Sequence, residues 1–399
     1  MTDVLLTYGW VRSSYSALRN LSQHGIKVCV ADSTRIGMGQ WSKYRGSFAY
    51  YTSHYLDEEK FINEILCICN EKKIKYILPS HNETEVLARH RHKFDSSLMA
   101  LIPETEHCEI FNNKARAYDY AKSIGIPVPL RVEYECPDRL AKKISMVGLT
   151  RTVIKLLTGN SAKGVYYADT PKKAQQTVKD LIRRYELTSE RYPQVEEYVT
   201  GEGWGSSVLY WNGRHIANFT HRRLREKIAT GGTSTLREAA THPAMEKDAL
   251  RLFDSIGWHG LAMSEFKVCR ETGRHWFIEV NPRMWGSIPL AITAGVEFPY
   301  LVWLCATEGV DSAIEYHNQC KIRMPWRGRW LLGDLFVAMK QLAGFNPVAS
   351  YKTIFRAEAN SLDDFYLDDP LPFFGQALYY ASNSLSKMSL NPSEKGMVG

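Results

Sequence analysis

Paired cysteines are missing from this sequence. Its eight cysteines, at 29, 67, 69, 108, 136, 269, 305 and 320, are scattered over 399 residues without the spacing of a zinc site or a disulfide framework, which fits a reducing compartment. No uncharged apolar run is long enough to span a bilayer: the longest, Ile288 to Ala306, carries Glu297 and two prolines, so a membrane span is not expected. Met1-Thr2-Asp3 leads straight into Val4-Leu5-Leu6, with no basic n-region or small-residue cleavage site of the secretory kind. Internal repeats and low-complexity segments are also lacking. A soluble cytoplasmic protein is expected, with at most a weak peripheral membrane contact. Strong charge of one sign is absent too: fifty Lys+Arg against forty-three Asp+Glu gives +7, an excess that suits an anionic small molecule but is too dilute to mark a nucleic-acid binder.

A hydrophobic content of 44% with 23% charged residues is that of an ordinary globular chain, which at this length divides into two or three domains. From residue 3 to about 102, β-rich runs (Val4 to Thr7, Lys27 to Ala31, Tyr76 to Pro79, Leu98 to Ile102) alternate with helix-period segments at 13–24, 57–71 and 83–94, the rhythm of βαβ units on a parallel sheet. Gly9 is the only glycine in the first turn, so the dinucleotide fingerprint is absent and a Rossmann-like shape without a dinucleotide is expected. A helix beginning near Asn112-Asn113 ends at Ser123-Ile124-Gly125, where Gly125 suits the position just past a helix end. The rhythm then turns antiparallel: strands at Thr152 to Leu156, Gly164 to Ala168, Gln194 to Val199, Gly205 to Tyr210 and Arg214 to Thr220, with a helix at 171–185. A polar loop is expected at 221–241, then a helix from Pro243 to about Ser255 and strands at 260–268 and 275–281. The chain beyond about 320 shows no pattern with evident chemistry, although Trp330 to Met339 has helical spacing suited to a core, a groove or a membrane surface.

The most informative segment runs from Glu265 to Arg283 and reads as a hairpin with Arg-Glu-Thr-Gly-Arg as its loop. A turn centred on Thr272 places 269 opposite 275, 267 opposite 277 and 265 opposite 279. Two carboxylates then meet at about 5 Å, which is destabilising unless a cation or a proton lies between them. Asn281, two residues beyond Glu279, shares its face and adds a neutral oxygen. Glu265, Glu279 and Asn281 make a hard, oxygen-only set suited to Mg²⁺ that leaves room for phosphate oxygens. Arg283, after Pro282, offers a fork for a phosphate or oxyanion. An exposed hairpin with incidental acids is the plainer alternative.

The string Phe277-Ile278-Glu279-Val280-Asn281-Pro282-Arg283 resembles the C-terminal metal motif of the ATP-grasp superfamily, and the resemblance extends over about residues 1 to 310. It implies an α/β and α+β fold with a Rossmann-like N-terminal domain (1–105), a small lid domain with its linker helix (106–200) and a C-terminal antiparallel-sheet domain (201–315), followed by an extension of unassigned role (316–399). Tyr198 to Gly205, His221 to Glu226 and Gly231 to Thr235 are similar to a bacterial subgroup of predicted ATP-dependent carboligases.

The resemblance also implies roles. Lys114, at a helix N-terminus where the dipole favours phosphate, and Lys155, a charge in an apolar strand, match phosphate-gripping lysines. The loop Thr158 to Gly164, with Gly159, Ser161 and Gly164, would close over terminal phosphates. Glu196 and the backbone of Glu197 and Val199 would read the adenine edge, and Glu202 is the nearest candidate for the ribose. The run His221 to Lys227, ordinarily a solvated charged turn, becomes a charge-compensating set for a triphosphate and an acyl phosphate, with Arg223 and Arg225 on one strand face. Gly232, Thr233 and Ser234 suit an acceptor carboxylate. His81, Asn82 and Glu83 lie at the C-terminal end of a parallel strand, where open α/β sheets bind ligands. The activity implied is ATP-dependent ligation: a carboxylate is activated as an acyl phosphate and captured by an amine, with ATP and Mg²⁺ as cofactors, Mn²⁺ as a substitute, small-molecule substrates, no nucleic acid, and a homodimer compatible with the sequence. A kinase acting on a hydroxyl, or a non-catalytic ATP-binding protein, are the alternatives.

Overall fold

The computed structural model describes residues 3–158, 164–227 and 233–387. Four strands, β1 (Val4–Leu6), β2 (Val28–Asp32), β3 (Ser47–Tyr50) and β4 (Tyr76–Leu78), form a parallel sheet in the order β3-β2-β1-β4. Apolar side chains on both faces of β1 and β2, such as Leu5, Leu6, Cys29 and Val30, are fully buried, as a parallel sheet covered by helices requires. The helix Glu58–Lys72 starts at Asp57, whose carboxylate accepts from Lys60 N–H, and buries Phe61, Ile62, Ile65 and Cys69 while Cys67 faces out. Two expectations fail here. Leu98 to Ile102 is a series of turns beside β4, and the fourth strand is β3, at the opposite edge next to β2. The expected helix 83–94 ends at Arg89, with a 3-10 turn at Arg91–Lys93.

The second unit is a three-stranded antiparallel sheet, β5 (Thr152–Lys155), β6 (Val165–Ala168) and β7 (Gln194–Glu197), in the order β6-β5-β7. Helix Pro171–Tyr185 covers it. Thr170 caps its start by accepting from Lys173 N–H, Pro171 occupies the first turn, and Ala174, Val178 and Leu181 are buried against the sheet. The helix Lys114–Ser123 leads into this unit, and Asn113 caps it through Ala115 and Arg116 N–H.

The third sheet has seven strands: β8 (Glu202–Trp211), β9 (Arg214–Glu226), β10 (Ser234–Ala239), β11 (Gly260–Val268), β12 (His275–Asn281), β13 (Arg327–Arg329) and β14 (Ser361–Leu362), in the order β12-β11-β8-β9-β10-β13-β14. The polar loop expected at 221–241 is largely strand. Its cations stay in the ladder because neighbouring elements supply carboxylates: Arg222 bonds Glu238 at 2.6 Å, Arg223 bonds Glu265 at 2.5 Å and Arg225 bonds Asp334 at 2.6 Å.

The chain past residue 320 is joined to both larger sheets. It supplies β13 and β14, then a pair of helices, Leu331–Ala343 and Pro347–Phe355, and a last helix, Leu371–Lys387, which packs on the short helix Met38–Trp41. A Cβ at Gly375 would lie 2.6 Å from the Gly37 carbonyl, so this approach needs a residue without one. No single described helix is long and apolar enough to cross a membrane; Ile288–Ala294 and Phe298–Thr307 reach that test only as a pair bent by 80°, and their apolar faces lie in the main core.

Candidate functional site

A cleft of about 310 Å³ opens where the three sheets meet. On one side, β11 and β12 bring Glu265 directly opposite Glu279, with Asn281 opposite Met263. The opposition agrees with the sequence, but the ladder reaches it differently. The loop is one residue longer than expected, so Val268 faces His275 and Lys267 faces Trp276 instead of 269 facing 275 and 267 facing 277; an irregularity between Glu265 and Phe266 then restores the register. A bulge at this point keeps two acids facing one another that a regular ladder would have offset.

Cations from the helix Lys114–Ser123 and from β9 touch the carboxylates directly. Lys114 Nζ lies 3.4 Å from Glu279, Arg223 Nη2 lies 2.5 Å from Glu265, and Asn281 Nδ2 donates to Glu265 Oε1 at 3.2 Å. Burial pushes both acids up, and their neighbours then separate them. At Glu279 the charges of Lys114, Lys155 and Arg223 outweigh burial and leave the carboxyl below its ordinary value. At Glu265 burial, with Glu279 beside it, outweighs Arg223 and leaves it raised. Two facing carboxylates with opposite shifts are what mutual repulsion in one buried site produces.

Arg223 reaches Glu265 across two strand spacings, from β9 over β8 to β11. Glycines at 203 and 205 make this path. Residues two apart share a strand face, so Gly203 and Gly205 leave a bare track on β8. A Cβ at Gly203 would lie 2.9 Å from Arg223 Cδ, and one at Gly205 would lie 2.5 Å from His221 Cε1. The string Gly201-Glu202-Gly203-Trp204-Gly205 carried this signal in its alternation.

On the opposite wall, Lys155 on β5 bonds Glu196 on β7 at 2.6 Å; both are buried, and Gln194 donates to the other Glu196 oxygen. Glu197 and Val199 line the cleft beside Val153, Val165 and Ile278. Arg283 lines it too; burial lowers its guanidinium, which faces Glu83, Tyr55, Glu279 and Tyr8. His81 lines the cleft and stacks on Tyr8 at a 4.7 Å ring separation. Thr233 and Ser234 line it as well.

Other expected residues fall elsewhere. Arg225 does not share a face with Arg223: the pairing of β9 with β10 is irregular between Ser234 and Arg237, and Arg225 bonds Asp334, which is fully buried and also held by Arg329 at 2.5 Å. Glu202 bonds Arg270 and is not among the cleft-lining residues. Glu83 is fully buried and accepts from Thr7 Oγ1 at 2.6 Å and Ser80 N–H at 2.8 Å, tying β1 to the end of β4, while Asn82 donates to Tyr55 at 2.8 Å. Gly164 has φ +76° and its carbonyl accepts from Leu156 N–H at 2.8 Å. Gly159, Ser161 and Gly232 lie outside the described residues.

Several lining residues were not foreseen: Tyr8, Trp10 and Arg12 from the turn after β1, Lys227 and Arg237 from the expected loop, and Trp330, Gln376 and Tyr380 from the chain past 320. The clustering of cations at 222–227 hinted at Lys227. Nothing local marks the others, because they reach the cleft through long-range packing.

No group of three or more His, Cys, Asp or Glu able to hold a metal occurs among the described residues. The set on β11 and β12 is two carboxylates and one amide, hard oxygen donors that would supply part of a Mg²⁺ shell and leave the rest to water and phosphate. Asn281 presents Nδ2 to Glu265, so its carbonyl oxygen would join the two carboxylates around a cation only after the amide turns over.

Residues 190–300 match the family model described as "Carbamoyl-phosphate synthase L chain, ATP binding domain". A putative urea carboxylase of Emericella nidulans is 23% identical over 243 residues, 58% of this chain and 19% of that protein. The chain spans less than half the length of the curated relatives it matches. Among solved structures, biotin carboxylase of Campylobacter jejuni has a TM-score of 0.61 at 13% identity, covering 82% of this chain and 74% of that one. N5-carboxyaminoimidazole synthetase of Staphylococcus aureus, complexed with ADP, has a TM-score of 0.59 at 16% identity, covering 77% of each. The three sheets and the cleft among them are the ATP-grasp fold of these solved structures, and the segment matched by the ATP-binding-domain model contains β11 and β12.

Proposed function

We propose that this chain is an ATP-dependent ligase that activates a carboxylate as an acyl phosphate and passes it to an amine, releasing ADP and phosphate. The observation that carries this reading is the opposition of Glu265 and Glu279 inside a cleft whose walls present Lys114, Lys155, Arg223 and Arg283. An anion-rich ligand fits such a set, since it separates cations that otherwise repel one another.

In this reading the adenine lies between Val153, Val165 and Ile278, with its polar edge toward Glu197 and Val199 at the end of β7. Glu196 holds Lys155 extended toward the phosphates, and Lys114 approaches from the opposite wall. Glu265, Glu279 and Asn281 would hold a divalent cation, which supplies charge neutralisation at phosphate oxygens when bound. Arg223 and Arg283 flank the phosphoryl group being transferred. Arg223 is held at the cleft by Glu226 and, until a cation takes Glu265, by Glu265 as well, and Arg283 donates to the Met284 carbonyl at 2.9 Å, so both guanidinium groups already stand on the wall where charge develops. No side-chain nucleophile is required, because the substrate carboxylate itself attacks. The names of the similar proteins, a carboxylase and a synthetase, support ligation over other uses of the fold.

The test is ADP release over pooled carboxylates and amines. Turnover that requires one member of each pool, with an amide product, is expected. Turnover with a hydroxyl compound alone, yielding a stable phosphate ester, would replace ligation by kinase chemistry.

A further inference from the structure

The cleft continues past the phosphate-facing residues into a compartment that the ligase reading leaves unused. Its floor is Arg237 on β10, which lies directly beside Arg223 on β9 and so on the same sheet face. Three strand spacings separate β10 from β11, about 14 Å, which removes this arginine from the opposed glutamates. Its walls are Arg12 from the turn after β1, and Trp330 and Tyr380 from the chain past 320.

Arg237 is fully buried, at 0% exposure. One nitrogen bonds Asp363 at 2.5 Å, while Nε and Nη1 have no hydrogen-bond partner among the described residues. Buried guanidinium N–H groups without partners are rare, because each has given up water and received nothing. Charge points the same way. Asp363 also holds Arg12 at 2.6 Å, and Asp364 is the second carboxylate acting on Arg12, so with Lys227 beside Arg12 three cations face two carboxylates. Arg12 stacks on Trp330 at 4.0 Å, and Lys227 lies 5.5 Å from the Tyr380 ring and 5.9 Å from that of Trp330. The compartment thus joins guanidinium N–H groups without described partners and an excess of cations to the rings of Trp330 and Tyr380.

We propose that this compartment is an anchoring subsite for an organic anion with an aromatic or apolar body. A carboxylate that takes no part in the reaction sits on the free Arg237 nitrogens, and the body packs against Trp330 and Tyr380. This rests on the ligase reading only in assigning the ligand to a substrate; the binding itself does not require ATP. It narrows one substrate to a molecule carrying a second anionic group remote from the reacting centre.

Isothermal titration of the full chain with phenylacetate and with 2-phenylethanol, each with and without MgADP, tests this. Phenylacetate is expected to bind at least tenfold more tightly than the alcohol. Arg237→Gln is expected to lose that preference while its affinity for MgADP stays within twofold, since Asp363 keeps Arg12. Tyr380→Leu is expected to weaken phenylacetate severalfold with MgADP unchanged. The subsite is refuted if the alcohol binds as tightly as the acid, if Arg237→Gln binds phenylacetate as the parent does, or if the parent binds MgADP but not phenylacetate. Phenylacetate binding without any MgADP binding would overturn the ligase reading and leave the subsite standing. The comparison of acid with alcohol on the unmodified chain decides the matter even where a variant fails to fold.

Discussion

Lys155 and Glu196 offer the sharpest energetic test of how the cleft is built. Their side chains are 6% and 3% exposed and 2.6 Å apart. At an effective dielectric near 20, two unit charges at that distance attract by about 6 kcal/mol, most of which is offset by taking both out of water. Lys155→Met removes the attraction and leaves the Glu196 carboxylate buried with Gln194 as its remaining side-chain donor. A loss of about 3–5 kcal/mol is expected, because the desolvation cost of the orphaned charge stays. Glu196→Gln should cost a similar amount, and Lys155→Met with Glu196→Gln should be less destabilised than the two losses added, by at least about 2 kcal/mol. Urea unfolding of the four proteins without nucleotide gives the cycle. If Lys155→Met falls within about 1 kcal/mol of the parent, or if the losses simply add, the pair is not the strut that extends Lys155 into the cleft.

Further outcomes follow from individual contacts. Arg225→Ala should destabilise the chain by about 1–3 kcal/mol by stripping one partner from buried Asp334, yet leave MgADP affinity within twofold in a calorimetric titration. Gly203→Val should weaken MgADP binding by displacing Arg223 from its path over β8, with far-ultraviolet circular dichroism unchanged. Burial, and then Arg12, hold Lys227 down to about 8, whereas an unfolded lysine titrates near 10.4. The folded chain therefore binds fewer protons between those values, and its stability rises with pH across that window. Lys227→Met should accordingly exceed the parent in urea stability below pH 8, by about 1–2 kcal/mol after solvent screening, and lose the advantage by about pH 10.5.

The opposed glutamates were legible because three signals coincided: a β-rich run on each side of a turn, acids at facing positions, and Asn281 two residues on. The structure keeps the pairing through a compensating bulge, which sequence pattern cannot reveal, since one extra residue in the loop is offset by one extra residue in the strand. The helices at 171–185 and 243–255 were legible from Pro171 and Pro243 at their starts. By contrast, 221–227 looks like a solvated turn because strand propensity is blind to the carboxylates that neutralise its arginines. Those partners, Glu238, Glu265 and Asp334, come from three other elements. The chain past 320 was opaque for the same reason: β13 and β14 are three and two residues long, and they form because β10 offers an edge to β13 and β13 offers one to β14. Arg12, Arg237 and Asp363 lie far apart in sequence and meet only in the folded chain.

In the proposed ligase, Glu265, Glu279 and Asn281 hold a divalent cation against the phosphates of a bound nucleotide. A crystal of the full chain grown with Mn²⁺ and a non-hydrolysable ATP analogue, with anomalous scattering recorded at the manganese edge, tests this directly. A peak between Glu265 and Glu279, within coordination distance of Asn281 Oδ1 and lost in Glu279→Gln, is the predicted result. A nucleotide bound in the cleft with its metal elsewhere, and the two carboxylates still closed on Arg223 and Lys114, would contradict it.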